Sequence, residues 1–378
     1  MLISIVIPTC NESENVSLIA NAINEALEST TNYEIIFVDD STDNTPDVLQ
    51  QLASVNPRVR YEHRENERGL GTAVVRGFQL AKGNVITVLD ADLQHPPDML
   101  NCMLDQIEAG YDVVIPSRFV PGGDDGGLTV HRKLISWVAR MMGKIALKKV
   151  RPINDPTSGF IMFRRDVIEG VQLKPIGWKI LIEILVKGHY RHVIEIPYRF
   201  LVRTTGESKM SLKEQWNYVR HLARLIKDSP EDRRFYTFAL VGLSGVIVNM
   251  AIYAVFVHWG IRVPVAGALS AMTALVSNYM LNDRITWADA NHGASLVRMA
   301  KYAVASLVGI AVDVAVLNVL YGAGVSFLAA NLFGISVATV GNYVVNNAWV
   351  WKTKRGIQPV IGSQPLNAAN SWQRGVAK

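Results

Sequence analysis

The sequence predicts two domains of different class. The first is an α/β domain on an open, mostly parallel sheet; the second is an all-α membrane domain of four helices in two repeated hairpins. Three observations carry this reading. Up to about residue 232, short apolar runs alternate with amphipathic stretches rich in charge, the pattern of strands alternating with helices. From residue 238 onward, long apolar stretches take over. Within that second part the sequence repeats itself at a constant offset of 64 residues. The overall composition averages the two halves: 378 residues, 49% hydrophobic, 19% charged, formal net charge +5. This is ample chain for two or three packed domains, and it excludes the disordered classes. Two cysteines, Cys10 and Cys102, exclude a disulfide scaffold and a Cys-rich zinc site.

In chain order, residues 2–7 form an unbroken apolar run, a buried strand, and residues 14–29 an amphipathic helix. Strands at 33–38, 59–63, 84–89 and 112–117 alternate with helices at 45–55, 71–81 and 98–109. Residues 131–149 read as a helix with Leu134, Ile135, Val138, Met141, Met142 and Ile145 on one face and Arg132, Lys133, Arg140, Lys144 and Lys148 largely off it. Residues 212–226 repeat the pattern, with Trp216, Val219 and Leu222 against Lys213, Arg220 and Arg224. Basic amphipathic helices of this kind suit a membrane interface, and packing on the sheet is the plainer alternative.

Residues 238–257, 265–281 and 327–350 carry no charge, and 302–321 carry only Asp313. Each stretch is of the length that spans the hydrocarbon core as a helix. Gly245-Val-Ile-Val-Asn249 aligns with Gly309-Ile-Ala-Val-Asp313, Ser277-Asn-Tyr-Met-Leu-Asn282 with Gly341-Asn-Tyr-Val-Val-Asn346, and Trp287 with Trp351. That is a duplicated helical hairpin. Asp313 is an intramembrane carboxylate, to be explained by function or by pairing between the hairpins. Arg233, Arg234, Arg284, Arg298, Lys301, Lys352, Lys354 and Arg355 flank one side of the spans and Arg262 the other, which predicts a multi-pass membrane protein with the first domain and both termini cytoplasmic. The expected boundaries are 1–210 for the α/β domain, 211–232 for an interfacial helix and linker, 233–355 for the membrane domain and 356–378 for a disordered tail.

Ligands of open α/β sheets bind beyond the carboxyl ends of the strands. Those ends carry Pro8-Thr-Cys-Asn-Glu12, Asp39-Asp40 and Asp90-Ala-Asp92. Two carboxylates two residues apart can hold a hard divalent cation between protein and phosphate, and Gln94 and His95 could add ligands. On the tripeptide alone, a solvated turn explains Asp-x-Asp as well.

The α/β half resembles inverting family-2 glycosyltransferases of GT-A fold. The motifs are Ile5-Val-Ile-Pro-Thr-Cys-Asn-Glu12, Val38-Asp-Asp-Ser41, Gly69-Leu-Gly-Thr-Ala73, Asp90-Ala-Asp-Leu-Gln-His-Pro-Pro97 and Ser117-Arg118. Asp155-Pro-Thr-Ser-Gly-Phe160, Pro175-Ile-Gly-Trp-Lys-Ile180 and Gly206-Glu-Ser-Lys209 resemble the dolichyl-phosphate mannosyltransferases in particular, and the four-helix half is similar to the GtrA-like module. The resemblance implies that Pro8, Cys10, Glu12, Val38, Asp40, Asp90, Ala91 and Lys179 line the nucleotide site. It implies that Asp90, Asp92 and Gln94 hold Mg²⁺ or Mn²⁺. Arg118, Arg132 and Ser136 would hold the acceptor phosphate, and Asp90, Asp92, Arg118, Arg203 and Lys209 would surround the reacting groups. Cys10 stands where family members often carry Tyr.

The resemblance further implies transfer of mannose from GDP-mannose to a dolichyl (polyprenyl) phosphate, with inversion, at the lipid bilayer. Two anionic substrates must meet, which calls for Arg, Lys and a cation. A phosphate acceptor is already ionised and needs no general base, so Asp155 is read as an orienting residue. The alternatives are a glucosyltransferase using UDP-glucose and a flippase of lipid-linked sugar with a degenerate first domain. The basic residues do not form one stripe, which argues against nucleic acid; a homo-oligomer stays open.

Overall fold

The computed structural model describes residues 1–27, 32–127, 130–201, 212–290, 294–353 and 360–362, and the chain divides into two compact units, 1–229 with 357–378, and 230–356.

In the first unit, β1 (Leu2–Thr9), β2 (Asn32–Asp39), β3 (Val59–His63), β4 (Val85–Val88), β5 (Val113–Ser117), β6 (Ile161–Arg164), β7 (His192–Pro197) and β8 (Val360–Gly362) form one sheet in the order β3-β2-β1-β4-β6-β5-β7-β8. All pairings are parallel except those of β6 with β4 and β5. The helices are α1 (Val16–Leu27), α2 (Thr45–Val55), α3 (Leu70–Leu80), α4 (Met99–Glu108), α5 (Val130–Ala146), α6 (Ile180–Lys187) and α7 (Leu212–Asp228).

Strand β1 reads as a continuous apolar run because both faces of the sheet are covered. Ile3, Ile5 and Ile7 enter one core with Ile19 and Ile23 of α1, while Val6 enters the other with Val74 and Phe78 of α3. Gly77 is what lets α3 lie so close: a Cβ there would collide with the Val6 side chain.

Strand β6 decides where the site forms. It runs against its neighbours, so the segment just before it, Asp155 to Phe160, lies at the edge where the parallel strands end. The sequence reading left this strand, α6 and β7 undetected. The expected disordered tail also needs a correction: Val360–Gly362 pairs with β7 as an edge strand, Val360 opposite His192.

The apolar stripe expected on α5 divides between two faces. Ala139, Met142 and Ala146 pack inward, whereas Leu134, Trp137, Val138 and Ile145 point outward and are exposed. Helix α7 does the same, burying Tyr218, Leu222 and Leu225 and exposing Trp216 and Val219. The Tyr218 hydroxyl donates to the Ala139 carbonyl oxygen at 2.8 Å, over Gly143, where a Cβ would lie 2.9 Å from that hydroxyl.

The second unit contains α8 (Pro230–His258), α9 (Val263–Leu281), α10 (Ser295–Gly322) and α11 (Phe327–Val345), four helices long and apolar enough to span a membrane, with most of their apolar surface facing outward. The duplication is visible atom by atom. Both α9 and α11 end in a wide π-type turn, Trp287 N–H donating to Asn282 O at 2.9 Å and Trp351 N–H to Asn346 O at 3.0 Å. Phe238 meets Trp287 as Tyr302 meets Trp351, with ring centroids 5.7 and 5.9 Å apart. Tyr343 stacks on Trp287 as Tyr279 stacks on Trp351, at 6.1 and 6.2 Å. The two indoles lie face to face at 4.2 Å, and their N–H groups donate across to Asn347 Oδ1 at 3.1 Å and Asp283 Oδ1 at 3.0 Å. Among the described residues Asp313 has no partner on the other hairpin: it lies against Gly334 of its own, with Oδ1 buried and without a hydrogen bond.

Within each hairpin an asparagine fills a glycine notch, Asn278 at Gly245 and Asn342 at Gly309. A Cβ at either glycine would collide with the amide. Gly309→Leu is therefore expected to cost about 1–3 kcal/mol by overpacking. Thermal unfolding in detergent micelles checks this, and an unchanged melting temperature would sink it.

Candidate active site

The carboxyl ends of β1 and β2 are laced together. Asn11, in the left-handed region at φ 56°, donates its N–H to Ser41 Oγ at 2.7 Å, and its Oδ1 accepts from Thr42 N–H at 2.9 Å. Asp39 accepts from Thr9 Oγ1 at 2.8 Å and lies 2.7 Å from His63 Nδ1. Asp40 grips Arg64 with both oxygens, at 2.7 and 2.6 Å, and accepts from Gly69 N–H at 2.8 Å. Its carboxylate thus anchors the start of α3. Val38 is fully buried and Pro8 lies beneath the edge, so both shape the floor, whereas Cys10 is exposed above it. The N–H of Glu12 donates to Thr45 Oγ1 at 3.1 Å.

Beyond β4 the chain passes through Asp90, buried Ala91, Asp92, Leu93 and Gln94. Leu93 is left-handed at φ 58°, a conformation an L residue keeps only where its surroundings impose it. It lies between the two expected ligands Asp92 and Gln94. The N–H of Gln94 donates to Asp92 Oδ1 at 3.1 Å, and its side-chain amide donates to Leu201 O at 3.1 Å while Leu201 N–H donates back to Gln94 O at 3.0 Å. Asp92 is mostly buried, and Asp90 is about a third exposed at 36%. Among the described residues no three acidic, His or Cys groups close around one point. Two carboxylates and an amide oxygen fit a hard divalent cation that takes its remaining ligands from substrate phosphate and water.

His95, read from the sequence as an additional ligand, sits instead in an aromatic cage. It stacks on Phe160 at 5.2 Å and meets the edge of Phe200 at 5.6 Å, with Nδ1 3.6 Å from Asp90 Oδ2. Burial lowers its pKa to about 4, leaving a neutral imidazole.

On the other side, Arg118 follows β5. Its Nε and Nη2 donate to the two oxygens of Asp155, at 2.8 and 3.0 Å, and its face lies over Phe119 and Phe200, each 5.2 Å from the ring centroid. Burial works against the Arg118 charge, but Asp155 outweighs it and raises the pKa. Asp155 is held in turn by Glu195 of β7, which accepts from the N–H groups of Asn154 and Asp155 at 2.7 and 2.8 Å. Burial raises the Glu195 pKa. Lys179, just before α6, donates to Thr157 O at 3.1 Å; burial, with Arg118 adding to it, lowers its pKa to about 8. Arg132 and Ser136 are half-buried on α5. Arg203 and Lys209 lie outside the described residues.

The edge therefore brings together Asp90, Asp92, Gln94, Arg118 and Lys179. Glu195 had no signal in the sequence, because its role exists only once β7 pairs with β5, Ser117 opposite Pro197. Arg140, which the sequence reading assigned to the helix surface, stacks on Phe119 beside Arg118.

Residues 4–171 match Glycosyl transferase family 2, and residues 237–355 match the GtrA/DPMS transmembrane domain. The chain is 43% identical over 354 residues to the dolichol-phosphate mannosyltransferase of Pyrococcus furiosus, covering 93% of this chain and 100% of that one. It is 30% identical over 276 residues to the dolichol-phosphate mannosyltransferase of Mycosarcoma maydis, covering 70% and 90%. It is 35% identical over 217 residues to the polyprenol monophosphomannose synthase of Mycolicibacterium smegmatis, covering 55% and 80%. The glucosyl-3-phosphoglycerate synthase of Mycobacterium tuberculosis, solved with UDP, aligns with a TM-score of 0.45 and 18% identity over 60% of this chain and 79% of that one.

Proposed function

We propose, for a chain that belongs to the dolichol-phosphate mannosyltransferases of glycosyl transferase family 2, that it transfers mannose from GDP-mannose to a polyprenyl (dolichyl-type) phosphate. The observation that carries this is the convergence of an acidic cluster and two half-buried cations, Arg118 and Lys179, on one sheet edge. That edge suits two phosphate-bearing substrates brought together.

In this reading an oxygen of the lipid phosphate attacks C1 of the sugar, the bond from C1 to the diphosphate breaks, and GDP leaves. One in-line displacement inverts the anomeric centre, so an α-linked donor gives a β-linked product. Asp90, Asp92 and Gln94 would hold Mg²⁺ or Mn²⁺, which when bound neutralises charge on the leaving diphosphate. Asp155 orients Arg118, and Glu195 fixes Asp155. Arg118, Arg132 and Ser136 take the acceptor phosphate, and Lys179 the donor diphosphate. The exposed Leu134, Trp137, Val138 and Ile145 of α5 and Trp216 of α7 are suited to lie in a lipid interface, where the acceptor resides. The basic flanks of the spans support a cytoplasmic location for the first unit and both ends of the membrane domain.

Purified protein assayed with radiolabelled GDP-mannose and UDP-glucose tests the donor. Label is expected in lipid from GDP-mannose; label only from UDP-glucose would overturn the reading. Lys179 adds a pH signature. kcat/KM for the donor reports the free enzyme, so it should fall as pH rises through about 8 and the ammonium loses its proton. Lys179→Met should remove that limb and lower kcat/KM about tenfold at neutral pH, the loss of one charge-assisted hydrogen bond. A limb that persists in the variant belongs to another group.

A further inference from the structure

Arg132, Ser136 and Arg140 stand at i, i+4 and i+8 on α5, one line down one face of the helix. The proposed function uses the first two. The structure brings the third to the same place. The Arg140 guanidinium carbon lies 3.5 Å from the Phe119 ring centroid, and that of Arg118 lies 5.2 Å from the same ring. One ring thus carries two guanidinium groups.

Little else holds Arg140. Its Nη1 reaches the Asn154 carbonyl oxygen only at 3.5 Å, the long limit of a hydrogen bond. Its Nε is buried and unpartnered. Among the described residues no carboxylate forms a salt bridge with it, and the nearest buried acid, Asp155, has both oxygens on Arg118. Burial lowers the Arg140 pKa, Asp155 works to raise it, and the Arg118 charge adds to the lowering. Both guanidiniums therefore lie in the field of Asp155, whose oxygens are already taken by Arg118. Holding like charges together in a partly dry place is unfavourable for the protein alone. An anion that arrives with the substrate removes the penalty.

We infer that Arg140 is a further phosphate-binding residue on the acceptor side. Stacking on Phe119 holds its plane and leaves the N–H edge to grip the lipid monophosphate alongside Arg132 and Ser136. This rests on the acceptor reading of Arg132 and Ser136, and the test separates the two.

The test uses the full chain in detergent, a polyprenyl phosphate of fixed length and GDP-mannose. Arg140→Gln is expected to raise KM for the acceptor about tenfold while donor KM stays within about twofold, the loss of a bidentate charge-assisted contact to one substrate. Arg140→Lys should recover only part of this, since an ammonium neither stacks flat nor binds as a fork. Phe119→Leu should give a smaller rise in the same parameter. Arg132→Gln is the control for the underlying reading. If it raises acceptor KM and Arg140→Gln does not, the inference is overturned and the reading stands. If neither moves it, both fall. A rise in donor KM alone would assign Arg140 to the diphosphate and overturn the inference. Should Arg140→Gln fail to fold, Arg140→Lys carries the test, and an unchanged acceptor KM in it counts against the inference.

Discussion

An Asp155→Ala protein is expected to be less stable than the parent by about 3–5 kcal/mol, the cost of leaving a buried charge without its partner. Asp155 is fully buried and Arg118 nearly so, with side-chain exposures of 0% and 12%. Removing the carboxylate strands the guanidinium between two aromatic rings and frees two N–H donors that water reaches poorly. It also empties the loop that Glu195 holds in place through the N–H groups of Asn154 and Asp155. The second expectation sharpens the first: Arg118→Ala added to Asp155→Ala should recover part of the loss, because no unpaired charge then remains buried. Denaturant unfolding of the single and double variants measures both. If Asp155→Ala stays within about 1 kcal/mol of the parent, the pair is not the keystone its burial indicates.

The largest effect on activity is expected at Asp92. Under the proposed function, Asp92→Ala should lower kcat/KM about 10²–10³-fold by removing charge stabilisation of the leaving diphosphate. It should also raise the divalent-cation concentration needed for half-maximal activity. Stability should fall by about 1 kcal/mol with the loss of the backbone hydrogen bond from Gln94. A variant with full turnover and an unshifted cation titration would remove Asp92 from the metal site. Loss of activity together with gross unfolding would leave the fold, not the cation, responsible, and circular dichroism on the same sample separates these outcomes.

How much of this was legible in the sequence depends on how local each signal is. Strands β1 to β5 and helices α1 to α4 fall within a few residues of the sequence reading, because each announces itself by an apolar run or a helical face. Helix α2 and strand β3 match the expected 45–55 and 59–63. The spans follow from charge-free length alone, and the reciprocal aromatic pairs follow from the 64-residue offset. What was missed depends on tertiary pairing. Strand β6 is four residues long and β8 three, too short to carry a period. On α5 the apolar residues were visible, but nothing local separates those that pack on the sheet from those that face outward, as Met142 and Leu134 show. His95 looked like a ligand because it follows Gln94, and only Phe160 and Phe200 reveal it as a caged, neutral ring. Arg140 had a signal, its place four residues beyond Ser136, but it takes on meaning only once Phe119 is found beneath it.

The face-to-face indoles of the membrane domain carry one more consequence. Each hairpin offers a tryptophan whose N–H is received by the other, and each supplies the receiving side chain, Asp283 in one and Asn347 in the other. A surface that presents both halves of its own contact is self-complementary. A polypeptide holding a single such hairpin could meet a second copy of itself through these same rings, so the domain has the architecture of a symmetric dimer joined into one chain. The exchange of carboxylate for amide between Asp283 and Asn347 is one place where the two halves are not interchangeable, since among the described residues Asp283 alone of the two also holds an arginine, Arg298, at 3.1 Å.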